Sequence, residues 1–147
     1  METKYDSLYL RNQLCFPLYL CSKEIIRKYT PILNELNLTY TQYVVMMYFW
    51  ENEKSNVKEI SKALLLDSGT LTPLLKKLEK KGYVTRVRSN VDERNLDVSI
   101  TKQGIALRDK ALEVPPKIEK CIHLDVDEEK TLYSLIYKVL SNIEESE

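Results

Sequence analysis

The sequence predicts a mainly α-helical chain that carries one small β-hairpin. Three observations lead there. Apolar residues recur at helical spacing through most of the 147 residues. Only two segments, residues 83–88 and 95–100, alternate with period two as half-buried strands do. With three Gly and five Pro, long loops must be few.

The elements follow in order. Residues 8–36 place Leu14, Leu18, Cys21, Ile25, Ile26, Tyr29, Ile32, Leu33 and Leu36 at helical spacing, so one long amphipathic helix is expected. Pro17 lies inside it and is expected to kink it within one turn of Cys15, while Pro31 marks a second break. Thr39-Tyr40-Thr41-Gln42 reads as a capping box, flanked by Leu38 and Tyr43 as a hydrophobic staple, and a buried helix follows through Trp50. Residues 51–55 form a polar connection. Asn56, with Glu59 three residues on, opens a short helix over 57–65. A second helix starts around 68–70 and runs to Lys81, with Leu71, Leu74, Leu75 and Leu78 on one face. Pro73 falls in or near its first turn, where a missing N–H costs little, and Gly82 stops it. A polar turn over 89–94 joins the two strands. Thr101 then caps a helix that Pro115-Pro116 interrupts. Asp125, with Glu128 three residues on, opens a last helix whose Leu132, Leu135, Ile136, Val139 and Ile143 are expected to face inward.

Composition excludes several classes. At 44% hydrophobic and 30% charged residues, the chain is apolar enough to fold, so dominant disorder is excluded. The longest apolar run, residues 43–50, is far short of the roughly 20 residues a bilayer needs. The first residues show no basic stretch leading into an apolar one, so no signal peptide is expected and the cytoplasm is the expected location. Three cysteines make no disulfide framework, and His123 stands without a second ligand, so neither metal nor cofactor is expected. Net charge is zero but unevenly spread. Residues 68–102 carry 8 basic and 4 acidic groups, and residues 111–147 carry 4 and 9. A basic middle suggests an anion-binding segment; a plain solvated face is the alternative.

Helix, short turn, helix, then a hairpin with a basic tip is the order of a winged helix-turn-helix, which reads double-stranded DNA. The second helix carries Ser68, Thr70, Thr72, Lys76 and Lys77 on its polar positions. Its hydroxyls suit phosphates or base edges, and its lysines suit phosphates. The hairpin offers Arg86, Arg88 and Arg94, and arginine in a narrow minor groove meets an enhanced negative potential.

Residues 67–79, Asp-Ser-Gly-Thr-Leu-Thr-Pro-Leu-Leu-Lys-Lys-Leu-Glu, with Asp92-Glu93-Arg94 and Ile100-Thr101, resemble the multiple-antibiotic-resistance regulator (MarR) family. More narrowly they resemble its organic-hydroperoxide-sensing branch, and the likeness runs from Leu14-Cys15-Phe16 to the last helix. Ile100 stands where the family usually has Leu, and Pro17 departs from the branch's common pattern. The resemblance implies a homodimer built from the N- and C-terminal helices, residues 1–36 and 102–147. The winged helix-turn-helix would occupy 37–101, with two winged lobes on a pseudo-palindromic operator. Asp92 would brace the wing through Arg94 or a neighbouring arginine.

A lone helical cysteine is usually a small buried hydrophobe, which is the expectation for Cys21. By the resemblance, Cys15 stands where the branch keeps its reactive thiol. Tyr19, Tyr29 and Tyr40, three of an unusual ten tyrosines, stand where it has partners that reach the thiol across the dimer interface. The chemistry is coherent, since the thiolate is the nucleophile and phenolic O–H donors stabilise it. The apolar neighbours Leu14, Phe16 and Leu18 favour an organic peroxide. The resemblance includes a two-cysteine subgroup whose resolving cysteine falls near Cys121, on the partner subunit. Condensation would hold the oxidised thiol at a reversible disulfide, short of sulfinic acid. The expected function is therefore a redox-switched repressor. The alternatives are a repressor released by a small phenolic or aromatic ligand, and a thiol peroxidase.

Overall fold

The first long helix begins later than its apolar periodicity suggests, and Pro17 is the reason. A proline ring clashes with the carbonyl four residues back, here that of Gln13, so a helix containing Pro17 must start beyond it. In the computed structural model, which describes residues 1–88 and 96–146, Gln13 is extended (φ −94°, ψ 122°) and α1 spans Cys15–Asn34. The expected helix over 8–36 is corrected accordingly. Pro17 is the third helical residue, where no intrahelical bond is lost, and α1 continues past Pro31 to Asn34. Ahead of α1 lie two single 3-10 turns, Asp6–Leu8 and Leu10–Asn12. The Gln13 side-chain amide secures them, donating to the carbonyls of Ser7 at 2.7 Å and Tyr9 at 3.0 Å.

Local capping fixes the next elements. Thr39 Oγ1 accepts the Gln42 N–H at 3.3 Å and Gln42 Oε1 accepts the Thr39 N–H at 3.1 Å, which starts α2 at Tyr40–Glu51. Asn56 Oδ1 accepts the Glu59 N–H at 2.8 Å and opens α3, Val57–Leu64. Leu65 then turns left-handed (φ 53°), and α4 runs Ser68–Lys80 until Gly82 (φ 88°) ends the reach of the helix. Pro73 is the sixth residue of α4, inside the helix rather than in its first turn. The carbonyl it leaves without a helical donor belongs to Gly69, which lies on the exposed face.

The hairpin strands are β2, Val84–Arg88, and β3, Leu96–Ile100, paired antiparallel from Val84↔Ile100 to Arg88↔Leu96. A third strand, β1 at Lys54–Asn56, pairs with the other edge of β3 through Lys54↔Ser99 and Asn56↔Asp97, giving the order β1-β3-β2. It occupies what reads in the sequence as a polar connection. Thr101 Oγ1 accepts the Gly104 N–H at 3.0 Å, starting α5 at Lys102–Ala111. The core below the sheet gathers Leu33, Val45, Met46 and Phe49 with Ile60, Leu71, Leu75, Leu78, Val84 and Val98, all at most 1% exposed. Trp50 joins α2 to α5, its indole N–H donating to the Gly104 carbonyl at 2.9 Å.

The chain divides into two compact units, Met1–Val114 and Pro115–Glu147. The second holds most of α6 (Val114–Ile122) and all of α7 (Val126–Glu145). Pro115 and Pro116 lie in the first turn of α6, so they begin a helix as well as ending the preceding stretch. A capping box between Asp125 and Glu128 starts α7 as expected. Within the second unit its apolar face is left uncovered: Leu132, Leu135, Ile136, Val139 and Ile143 are 40–55% exposed. The inward orientation expected for them is corrected.

Candidate functional site

Two regions of the first unit collect the residues that carry chemistry. The first is the outer face of α4. Leu71, Leu74, Leu75 and Leu78 anchor the helix in the core, which turns the opposite face outward. Ser68, Thr70, Lys76 and Lys77 are exposed there, and Thr72 is half-buried. Gly69, Pro73 and Lys80 are exposed on the same helix, although the polar positions read as DNA contacts do not include them. The helical period that places the four leucines inside would have found them. Asp67 caps the helix, its Oδ1 accepting the Thr70 N–H at 2.6 Å. That backbone bond, then one from the Thr70 side chain, holds the Asp67 carboxyl below its ordinary range. The cap therefore remains ionised at neutral pH, at the helix end where negative charge is favoured.

Arg86 departs from expectation. Its guanidinium is only 17% exposed and grips Glu79 Oε1 through Nε at 3.2 Å and through Nη2 at 3.1 Å. The Arg86 backbone N–H donates to Glu79 Oε2 at 3.0 Å. Rather than being offered outward, Arg86 ties β2 to the last turn of α4. Arg88 is exposed. Asp92 and Arg94 lie outside the described residues.

The second region involves the thiols and tyrosines. Cys15 is the first residue of α1 and is exposed. Tyr19, one turn on, is 62% exposed. Tyr29 and Tyr40 come together, with ring centroids 4.8 Å apart, and Tyr43 joins Tyr29 at 5.9 Å. Burial, then the neighbouring Tyr40 and Tyr43, pushes Tyr29 up to about 12, so it remains a neutral phenol able to donate. Tyr43 is also raised, by burial first and Tyr40 second. Beside the pair opens a crevice of about 340 Å³, where Ile26, Thr30 and Asn34 of α1 face Leu38, Thr39, Tyr40 and Thr41. Cys15 does not share it. Tyr29 lies fourteen positions after Cys15 on α1, roughly 21 Å along the axis. The structure thus brings Tyr29 and Tyr40 together, keeps Tyr19 one turn from Cys15, and leaves the thiol remote from the tilted pair within one chain.

Cys21 is exposed, which corrects the expectation of a buried thiol. Cys121 belongs to the second unit, on α6, is exposed, and directs its Sγ to the Lys117 carbonyl at 3.6 Å. Among the described residues no helix is long and apolar enough to cross a membrane.

Residues 27–111 match the family described as transcriptional regulator SarA/Rot. Over 143 residues the chain is 43% identical to the organic hydroperoxide resistance transcriptional regulator of Bacillus subtilis, covering 97% of each chain. The structure of reduced AbfR bound to DNA superposes with a TM-score of 0.79 at 33% identity, over 96% of this chain and 99% of that one. A disulfide-formed AbfR superposes with a TM-score of 0.66, also at 33% identity, over 97% of each chain.

Proposed function

Because this chain belongs to the SarA/Rot transcriptional regulators of the MarR-type winged-helix family, and is a DNA-binding regulator rather than an enzyme, we propose that it is a redox-switched repressor. It leaves its operator when an organic hydroperoxide oxidises Cys15. One observation carries the reading: an exposed thiol heads α1, while Tyr29 and Tyr40 pack together about 21 Å further along the helix axis beside an open crevice. A second copy of the chain supplies what one copy lacks, the Cys15 of one subunit meeting Tyr29 and Tyr40 of the other. A homodimer also accounts for the apolar side chains at the surface. These include Leu8, Leu10, Leu14 and Leu18 before and within α1, and Leu135, Ile136, Val139 and Ile143 on α7.

The chemistry balances as follows. The Cys15 thiolate attacks the distal peroxide oxygen, the O–O bond breaks, and an alcohol leaves after taking up a proton. Cys15 becomes a sulfenic acid. The Cys121 thiol of the partner subunit then displaces hydroxide from that sulfur, water leaves, and an intersubunit disulfide forms. AbfR has been seen reduced on DNA and, separately, in a disulfide-formed state, which supports a thiol–disulfide switch in this chain. The disulfide re-spaces the two reading helices, so that only one half-site can be held in register.

On DNA, Ser68, Thr70, Thr72, Lys76 and Lys77 of α4 enter the major groove and Arg88 reaches the backbone from the wing. Arg86 serves as a brace. The two arginines are therefore expected to behave differently. Arg88→Ala lowers the slope of log affinity against log salt by about 1, because one counterion fewer is released. Arg86→Ala leaves that slope nearly unchanged and lowers folding stability by about 1 kcal/mol. Operator titrations at several salt concentrations, paired with urea melts, check both.

A second reading draws on the crevice beside Tyr40: a repressor released by a small phenolic or aromatic ligand that fills it. Titrating the protein–DNA complex with cumene hydroperoxide, then adding dithiothreitol, separates the two. Release reversed by dithiothreitol supports the redox switch. Indifference to the peroxide, with release by a simple phenol such as salicylate, supports the ligand switch.

A further inference from the structure

Lys81 closes α4, and its side chain does not follow the exposed lysines of that helix. Its Nζ donates to the Asn37 carbonyl at 2.6 Å and to Gln42 Oε1 at 2.9 Å. Both acceptors belong to the corner where α1 gives way to α2. Asn37 sits there in the left-handed region (φ 54°), and Gln42 is 3% exposed. The same Gln42 oxygen accepts the Thr39 N–H that closes the capping box of α2. One buried amide oxygen thus serves the first turn of α2 and the end of α4 together. Tyr40, the first residue of α2, packs against Tyr29 at this corner, the two rings tilted by 51°.

The position is demanding for a cation. Burial, and secondarily the Lys77 ammonium, hold Lys81 below the usual lysine range. Its two named acceptors are neutral, so no full opposite charge in that pair offsets the loss of water. What the contact accomplishes is mechanical: it pins the carboxyl end of the DNA-reading helix to the turn that carries Tyr40. We propose that Lys81 is a positioning residue that locks α4 to the α1–α2 corner, so that displacement of Tyr40 is passed to the reading helix. The proposal rests on the reading above for the event that moves Tyr40; the lock itself requires no oxidation.

Such coupling is established by non-additivity, not by proximity. The test is a double-mutant cycle of Lys81→Met, which removes the ammonium donors, with Tyr40→Ala. The readout is the affinity of the reduced protein for one duplex that the wild type selects from random-sequence DNA. Tyr40→Ala is expected to weaken binding roughly tenfold in the native background and less than about twofold beside Lys81→Met. Lys81→Arg restores the full response. Equal effects in both backgrounds, or no effect in either, overturn the lock. Amide hydrogen exchange over residues 74–80 of the free protein repeats the cycle without DNA: Tyr40→Ala speeds exchange only where Lys81 is present. A wild type that selects no duplex defeats the DNA reading, and one unmoved by hydroperoxide defeats the redox reading. In either case the exchange cycle decides the lock by itself.

Discussion

Replacing Cys15 by serine is expected to give a protein that binds its operator as the reduced form does and ignores organic hydroperoxide. The wild type should lose roughly 5–150-fold in affinity on oxidation, the usual range for coupling between two sites. In Cys15→Ser that ratio should fall to 1. The serine hydroxyl nearly matches the thiol in size, and Cys15 is exposed, so the fold is not at stake. A hydroxyl is a far weaker nucleophile than a thiolate and gains nothing from phenolic donors at neutral pH. Exposed Cys21 and Cys121 remain in the variant and serve as internal controls. Release that persists in Cys15→Ser would move the sensor to one of them.

Cys121→Ser has the second large expected effect, and it concerns the disulfide step rather than the first oxidation of Cys15. Without Cys121 the sulfenic acid at Cys15 loses the partner thiol proposed to condense with it. Non-reducing gels after mild peroxide should then show monomer only, where the wild type shows a covalent dimer. With more peroxide, mass spectrometry should find sulfinic acid at Cys15, which dithiothreitol does not reduce, and without a disulfide to re-space the reading helices the variant should stay on its operator. Because a disulfide needs Cα atoms about 4.4–6.8 Å apart, any wider spacing in the reduced dimer must close on oxidation. A wild type that stays monomeric on the gel, with a lasting sulfenic acid, makes Cys121 a bystander.

Features legible in the sequence are those written in contacts a few residues long. The capping boxes of Thr39 and Gln42 and of Asp125 and Glu128, and the caps at Asn56 and Thr101, depend only on neighbours three residues away. The helix-turn-helix follows from the leucine spacing in α4. Strand β1 was illegible for the opposite reason. Lys-Ser-Asn has no alternation of its own, and only the free edge of β3 makes it a strand. Pro17 carried its message in steric form, a clash with residue 13, which the apolar periodicity running through it obscured. The face of α7 was correctly periodic, but periodicity does not say whether the chain or a second molecule covers it. Arg86 read as one more basic residue of a wing, because its partner Glu79 lies on another element. The candidate site shows the same division. The position of Cys15 and the tyrosines came from family resemblance, whereas the packing of Tyr29 against Tyr40, and its remoteness from Cys15, required the fold.

The central claim is that the thiol of one subunit is served by the tyrosines of the other, and mixed dimers test it directly. One copy carries Cys15→Ser with its tyrosines intact; the other keeps Cys15 and carries Tyr29→Phe and Tyr40→Phe. The measurement is the rate at which the single remaining Cys15 is oxidised by cumene hydroperoxide, followed by mass spectrometry. Homodimers of the double phenylalanine variant should react roughly tenfold more slowly than wild type, since a hydrogen bond to a charged group has been lost. If the tyrosines act across the interface, the mixed dimer reacts at the wild-type rate. If its surviving thiol is as slow as in the phenylalanine homodimer, the tyrosines act within their own chain and the account is contradicted.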